Sequence, residues 1–138
     1  MLLPTTPPGW IIQALRRSLD FQGRAARAEY WWMIALTMAL AGIGMVVDAW
    51  LFGNDPLIDP LDGVGLWTAL ILTGLPQLAV SIRRLHDQNL SGWWFLVTLL
   101  PYAGVAVQFW WMSRIGTQGA NRFGPDPLPE PDNPTRYF

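Results

Sequence analysis

The sequence predicts an all-α integral membrane protein with three transmembrane helices and a short interfacial helix at the N-terminus. Three observations predict it. First, 51% of the 138 residues are apolar and only 14% are charged, whereas a soluble domain carries about 25% charged residues. Second, three apolar runs cover residues 31–51, 64–82 and 93–112. Twenty residues at 1.5 Å each give about 30 Å, the thickness of a bilayer core. Third, of the nine tryptophans all but Trp10 stand near the edges of these runs. Indole is apolar in body and polar at its N–H, and so prefers the headgroup level.

The length fits one domain, divided into a flexible tail over 1–9, a membrane domain over 10–127 and a proline-rich disordered tail over 128–138. There is no cysteine, which removes disulfides, a thiolate nucleophile and cysteine metal sites. All nine basic residues are arginines. No basic stretch precedes a short apolar core near Met1, so no cleaved signal is expected.

Residues 10–20 show helical periodicity. Ile11, Ala14, Leu15, Ser18 and Leu19 share one face, while Gln13, Arg16, Arg17 and Asp20 point away. Such a helix suits either the membrane surface or packing against the rest of the chain. Gly23 should break it. In the first long run, Trp31-Trp32 and Trp50 mark the ends, and Ala35, Ala39, Ala41, Gly42 and Gly44 would let another helix come close. Residues 53–63 hold two Asp-Pro pairs between glycines and read as a loop. Its acids, with Asp48 before it, do not match calcium-loop spacing and read as solvated turn residues.

The second run is interrupted by Pro76 and Gln77, where a kink is expected. A short water-facing turn follows over 83–92, holding Arg83, Arg84, His86 and Asp87. Ser91 is placed to cap the third run. Pro101 and Gly104 fall near the centre of that run, so the full span has an alternative: a re-entrant hairpin or two short helices.

Arginine placement sets the orientation. Arg16, Arg17, Arg24 and Arg27 precede the first run and Arg83 and Arg84 follow the second, while the 48–63 loop has acids only. The arginine-rich ends should face the cytoplasm, with the N-terminus there. A full third span puts the tail outside, against the mild inward preference of Arg114 and Arg122.

Three segments then occur in order: Phe21-Gln22-Gly23-Arg24-Ala25-Ala26-Arg27-Ala28-Glu29-Tyr30-Trp31; Arg83-Arg84-Leu85-His86-Asp87 with Ser91-Gly92-Trp93-Trp94; and Gly119-Ala120-Asn121-Arg122-Phe123-Gly124-Pro125-Asp126-Pro127. Together they resemble domain-of-unknown-function family 805, over roughly residues 12–127. The resemblance implies a small multi-span protein of the bacterial inner membrane and supplies no activity.

The candidate polar cluster is Arg24, Arg27, Glu29, Arg83, Arg84, His86, Asp87, Asn121, Arg122 and Asp126. Charges near a membrane are costly unless paired or hydrated. The leading reading has Glu29 and Asp87 pair with arginines and lock helix ends together, since the planar guanidinium can hold a carboxylate by two bonds. The expected role is a non-enzymatic interaction or accessory protein with a polar cytoplasmic platform. The alternatives are anionic-headgroup binding by Arg83 and Arg84, or a subunit of an oligomeric transporter using Gln77 and Gln108. Catalysis by His86 with Asp87 is disfavoured, because neighbours on a chain rarely face each other. One histidine makes a poor zinc site. No catalytic, metal-binding or cofactor-binding residue is expected, and no cofactor. Expected partners are membrane lipids and a second copy or another membrane protein, with no nucleic acid.

Overall fold

The computed structural model describes residues 7–53 and 63–128. Asp55, Asp59 and Asp62, most of the N-terminal tail and the last ten residues lie outside them. The described residues form helix α1 (Pro7–Arg16), α2 (Arg27–Phe52), α3 (Val64–Asp87), a 3₁₀ helix (Gly92–Leu99) and α4 (Ala103–Ser113).

Helix α1 begins at Pro7, three residues inside the segment assigned to the tail. Proline is well placed in a first turn, where its missing N–H has no partner to lose. The helix packs on α2 and α3 through Trp10 and Ala14, while Ile12 and Leu15, and Leu19 in the turn beyond it, face outward. Packing and an outward apolar edge thus coexist. Gln13 does not point away as its position suggested, for its amide reaches Glu29 Oε2 at 3.3 Å.

Helices α2 and α3, of 26 and 24 residues, are the two candidate membrane spans. At 1.5 Å per residue they run about 39 and 36 Å. They lie antiparallel. Asp48 near the end of α2 meets Gly65 at the start of α3, and Glu29 at the start of α2 meets Arg83 near the end of α3. The apolar face of α2 points out: Met38, Ile43, Val46 and Trp50 are all exposed. Hydrocarbon as solvent explains this arrangement; water does not.

The two helices touch backbone to backbone. A Cβ on Gly65 would lie 2.5 Å from Gly44 Cα, and one on Gly44 would lie 2.6 Å from the Gly65 carbonyl carbon. Asp48, expected to be a solvated residue, is buried. Its carboxylate accepts from Gly65 N at 2.7 Å, which satisfies a first-turn amide of α3 and complements that helix's dipole.

Helix α3 continues through the buried Pro76 without a break and on to Asp87. The expected water-facing turn at 83–92 is therefore corrected. Arg83, Arg84 and Asp87 belong to the last helical turns and are buried. They find oppositely charged partners there, so burial becomes tolerable. The actual turn is shorter and carries Asn89 at φ 59°.

The expected third spanning helix is also corrected. Residues 92–113 form two short helices, the alternative the proline and glycine had left open. Pro101 has no N–H to give, and it disfavours helical geometry in the residue before it. Tyr102 then turns the chain at φ 62°. Gly104 lets the arms close up, since a Cβ there would overlap the Thr98 carbonyl. Each arm is about 16 Å long by its helical rise. The segment leaves α3 just after Asp87 and returns to the same end, where Arg84 Nε donates to Met112 O at 3.4 Å and Gln88 donates to Trp111 O. Trp94 and Trp111, one from each arm, meet edge to face at 5.9 Å. Ser91 stands at the N-cap position but makes no side-chain cap bond.

Candidate functional site

Every residue of the candidate cluster sits at one end of the molecule, where α1, the start of α2, the end of α3 and the chain after α4 converge. Gly23 at φ 79° turns the chain in the connection between α1 and α2. Ala25 N then donates to Arg83 O at 3.1 Å. That bond fixes Arg24 beside the last turn of α3.

Asp87 is the hub. Its Oδ1 accepts from Arg24 Nε at 2.8 Å and lies 2.8 Å from Arg24 Nη2. Its Oδ2 pairs with Arg84 Nη1. The remaining guanidinium donors go to the tail: Arg24 to the carbonyls of Thr117 and Gly119, and Arg84 to that of Arg114. The carbonyl of Asp87 accepts from Thr117 N at 2.8 Å and from its hydroxyl at 2.9 Å. Gly116 is required beside it, for any Cβ there would overlap the Asp87 carboxylate.

Asp126 stands 3.9 Å from Arg24 and accepts from Gly119 N at 2.9 Å. Asn121 donates to His86 O at 2.9 Å. The chain from Arg114 to Asp126 is thereby folded onto the helix ends.

Glu29 and Arg83 form a second, separate pair. Arg83 Nη1 is 2.8 Å from Glu29 Oε1, with both side chains 0% exposed. The contact is at ion-pair distance but off the line of a hydrogen bond, so no guanidinium nitrogen of Arg83 has a hydrogen-bond partner. Charge holds this pair, and Gln13 completes the Glu29 shell.

His86 faces away from Asp87. Its ring stacks on Phe123 at 4.0 Å, with planes 3° apart, and its Nδ1 lies 3.2 Å from Gly23 O. Arg122 also rests on Phe123, at 4.6 Å, and donates to Asn89 O at 3.0 Å. Arg27 donates to Ser113 O at 3.4 Å.

Chemically, this arrangement is a lock. The two carboxylates sit among guanidinium groups, and the histidine belongs to a separate stack. Among the described residues no group of three or more His, Asp or Glu is placed to hold a metal ion. With 0% exposure, Arg83 and Arg84 offer no surface to a lipid headgroup. Of the two deep glutamines, Gln108 donates to Tyr30 Oη at 3.0 Å, while the Gln77 amide is buried without a partner. Residue-by-residue reading missed Gln13, Gln88 and Thr117, which are ordinary polar residues with no pattern of their own. It also missed Phe123, which stands inside the third segment, residues 119–127, without a charge to single it out.

Fold and site together define an α-helical protein with two candidate membrane-spanning helices, whose buried arginines at one end are paired with carboxylates. The chain is 37% identical over 124 residues to "Inner membrane protein YhaH" of Escherichia coli (strain K12), covering 88% of this chain and 98% of that one. It is 38% identical over 119 residues to "Inner membrane protein YhaI" of the same organism, covering 86% and 94%. "Uncharacterized protein YiiR" is 28% identical over 132 residues, covering 78% and 85%. The family model described as "Protein of unknown function (DUF805)" matches residues 18–125, and the chain belongs to that family. No solved structure matches it.

Proposed function

We propose that this protein is a non-enzymatic interaction or accessory protein of the inner membrane. Helices α2 and α3 cross the bilayer, residues 92–113 re-enter from the cytoplasmic side, and the N-terminus and tail share that side. The single observation that carries the reading is the hub at Asp87: Arg24, Arg84 and the chain at 114–119 close around one carboxylate. At this hub Asp87, Arg24 and Arg84 are committed to one another and to the chain at 114–119, which suits a rigid platform. The topology is supported by the arginines, since Arg114 and Arg122 gather at the same end as Arg24 and Arg83 and such clusters stay cytoplasmic.

Two experiments test this. A reporter fused after Arg114 should behave as cytoplasmic, fluorescent as a green fluorescent protein fusion and silent as an alkaline phosphatase fusion. An active phosphatase would restore a third full span. Cross-linking in native membranes followed by purification in mild detergent should bring down a discrete membrane protein or a second copy of the chain. Recovery of the chain as an uncross-linked monomer, under conditions that capture a known oligomer, removes the accessory role.

A further inference from the structure

A groove of about 400 Å³ opens beside the platform, between α3 and the first arm of the hairpin. Leu78, Ile82, Trp93 and Phe95 form its walls, and His86 and Ser91 stand at its polar end. From His86 back to Leu78 is two turns of α3, a rise of about 12 Å. The groove therefore runs from headgroup depth into hydrocarbon. Trp93 beside it is 79% exposed, an interfacial indole.

The polar end has a defined hydrogen-bonding character. His86 Nδ1 faces the Gly23 carbonyl at 3.2 Å. A carbonyl only accepts, so Nδ1 carries the proton, and Nε2 of the neutral ring is an acceptor. Nε2 lies on the groove side: a Cβ built on Gly92, another lining residue, would come 3.4 Å from it and 2.8 Å from Ile82 Cγ2. The lack of a side chain at Gly92 keeps Nε2 accessible. Ser91, whose hydroxyl makes no cap bond, lines the same space. Arg122 does not line the groove; it is exposed on the Phe123 ring that His86 stacks against, so a cation stands near the polar end. It has donors left after its bond to Asn89.

We propose that this groove is a phospholipid site, with one acyl chain between α3 and the hairpin, the phosphate beside Arg122 and Ser91, and a headgroup N–H or O–H donated to His86 Nε2. The choice of a lipid rests on the positive charge of Arg122 near one end, the hydrogen-bonding groups of His86 and Ser91 within it, and apolar walls of lipid depth at the other. The choice of headgroup rests on the acceptor: an ethanolamine ammonium or a glycerol hydroxyl can donate, whereas the quaternary ammonium of choline has no hydrogen to give. The inference relies on the reading above only for the groove facing lipid.

The test places the full chain in phosphatidylcholine vesicles containing a small fraction of a photoreactive-acyl probe, either a phosphatidylethanolamine or a phosphatidylcholine. Labelling is mapped at residues 91–96 and, as a reference, on the outward face of α2. The ethanolamine probe should label 91–96 about threefold or more above the choline probe, the worth of one modest hydrogen bond. Both probes should label α2 equally. The preference should vanish in His86→Phe and also in Ile82→Trp, which fills the groove, leaving only the equal labelling that exposed residues such as Trp93 take from bulk lipid. Equal labelling of 91–96 by the two probes in the unaltered chain overturns the proposal whatever the variants do, as does a preference that survives His86→Phe. Absence of label on α2 would instead fault the membrane placement, so the two failures are distinguishable.

Discussion

Asp87→Ala should abolish the stably folded protein. The substitution leaves Arg24 and Arg84 buried against each other with their shared counter-charge gone. Removing one partner of a buried ion pair costs about 3–5 kcal/mol, because the survivor is left desolvated and uncompensated. Here there are two survivors, and the total stability of a typical domain is only about 5–15 kcal/mol. The loss should appear as aggregation on size exclusion in mild detergent and as a collapsed melting transition. Asp87→Asn should fall between, since the amide oxygen still accepts one guanidinium bond but the charge is absent. Arg122→Ala is the control. Arg122 is exposed, and surface changes of that kind usually stay within about 0.5 kcal/mol. If Asp87→Ala melts within about 2 °C of the parent, a difference of under 1 kcal/mol, the hub is not what holds the helix ends together.

Replacing glycine by alanine in the two long helices should give opposite signs at positions that look alike in sequence. At Gly44 or Gly65 the added carbon meets the other helix's backbone, at 2.6 and 2.5 Å. Backbone cannot swing aside as a side chain can, so α2 and α3 must separate. Overpacking of this sort costs about 1–3 kcal/mol, and parting the helices also disturbs the bond from Gly65 N to Asp48. At Gly42 and Gly74 a Cβ meets nothing within 4 Å. There alanine should be neutral or stabilising by up to about 1 kcal/mol, its advantage over glycine in a helix. Thermal melts of the four single variants in one detergent decide it. Four shifts of the same sign would mean that α2 and α3 do not meet at Gly44 and Gly65.

The platform has a similar logic at longer range. The Arg24–Asp87 contact joins residues 63 positions apart in the chain. Nothing in the sequence shows which carboxylate takes which arginine. Glu29 and Asp87 both stand near Arg83 and Arg84 in any helical reading, and either assignment satisfies the charges. In the fold, residues 83 and 84 point about 100° apart on one helix. One turns to Glu29 and α1, the other to Asp87 and the tail.

The solvent was legible from composition alone, because a chain with 14% charged residues cannot cover a globule with water-compatible surface. The two long helices followed from the length of their apolar runs, and the polar cluster followed from the placement of the arginines. Tertiary structure alone decided three further points. It carried α3 past Arg83 and Arg84 to Asp87, where the run of apolar residues had suggested an end. It folded 92–113 back on itself at Pro101 and Tyr102. It selected Gly44 for contact and left Ala35, Ala39 and Gly42 outward. The physical reason is common to all three. Hydropathy records what each segment does with its solvent, and that is a local property. Whether a charge can be buried, or a glycine is needed, depends on a group brought beside it from elsewhere in the chain.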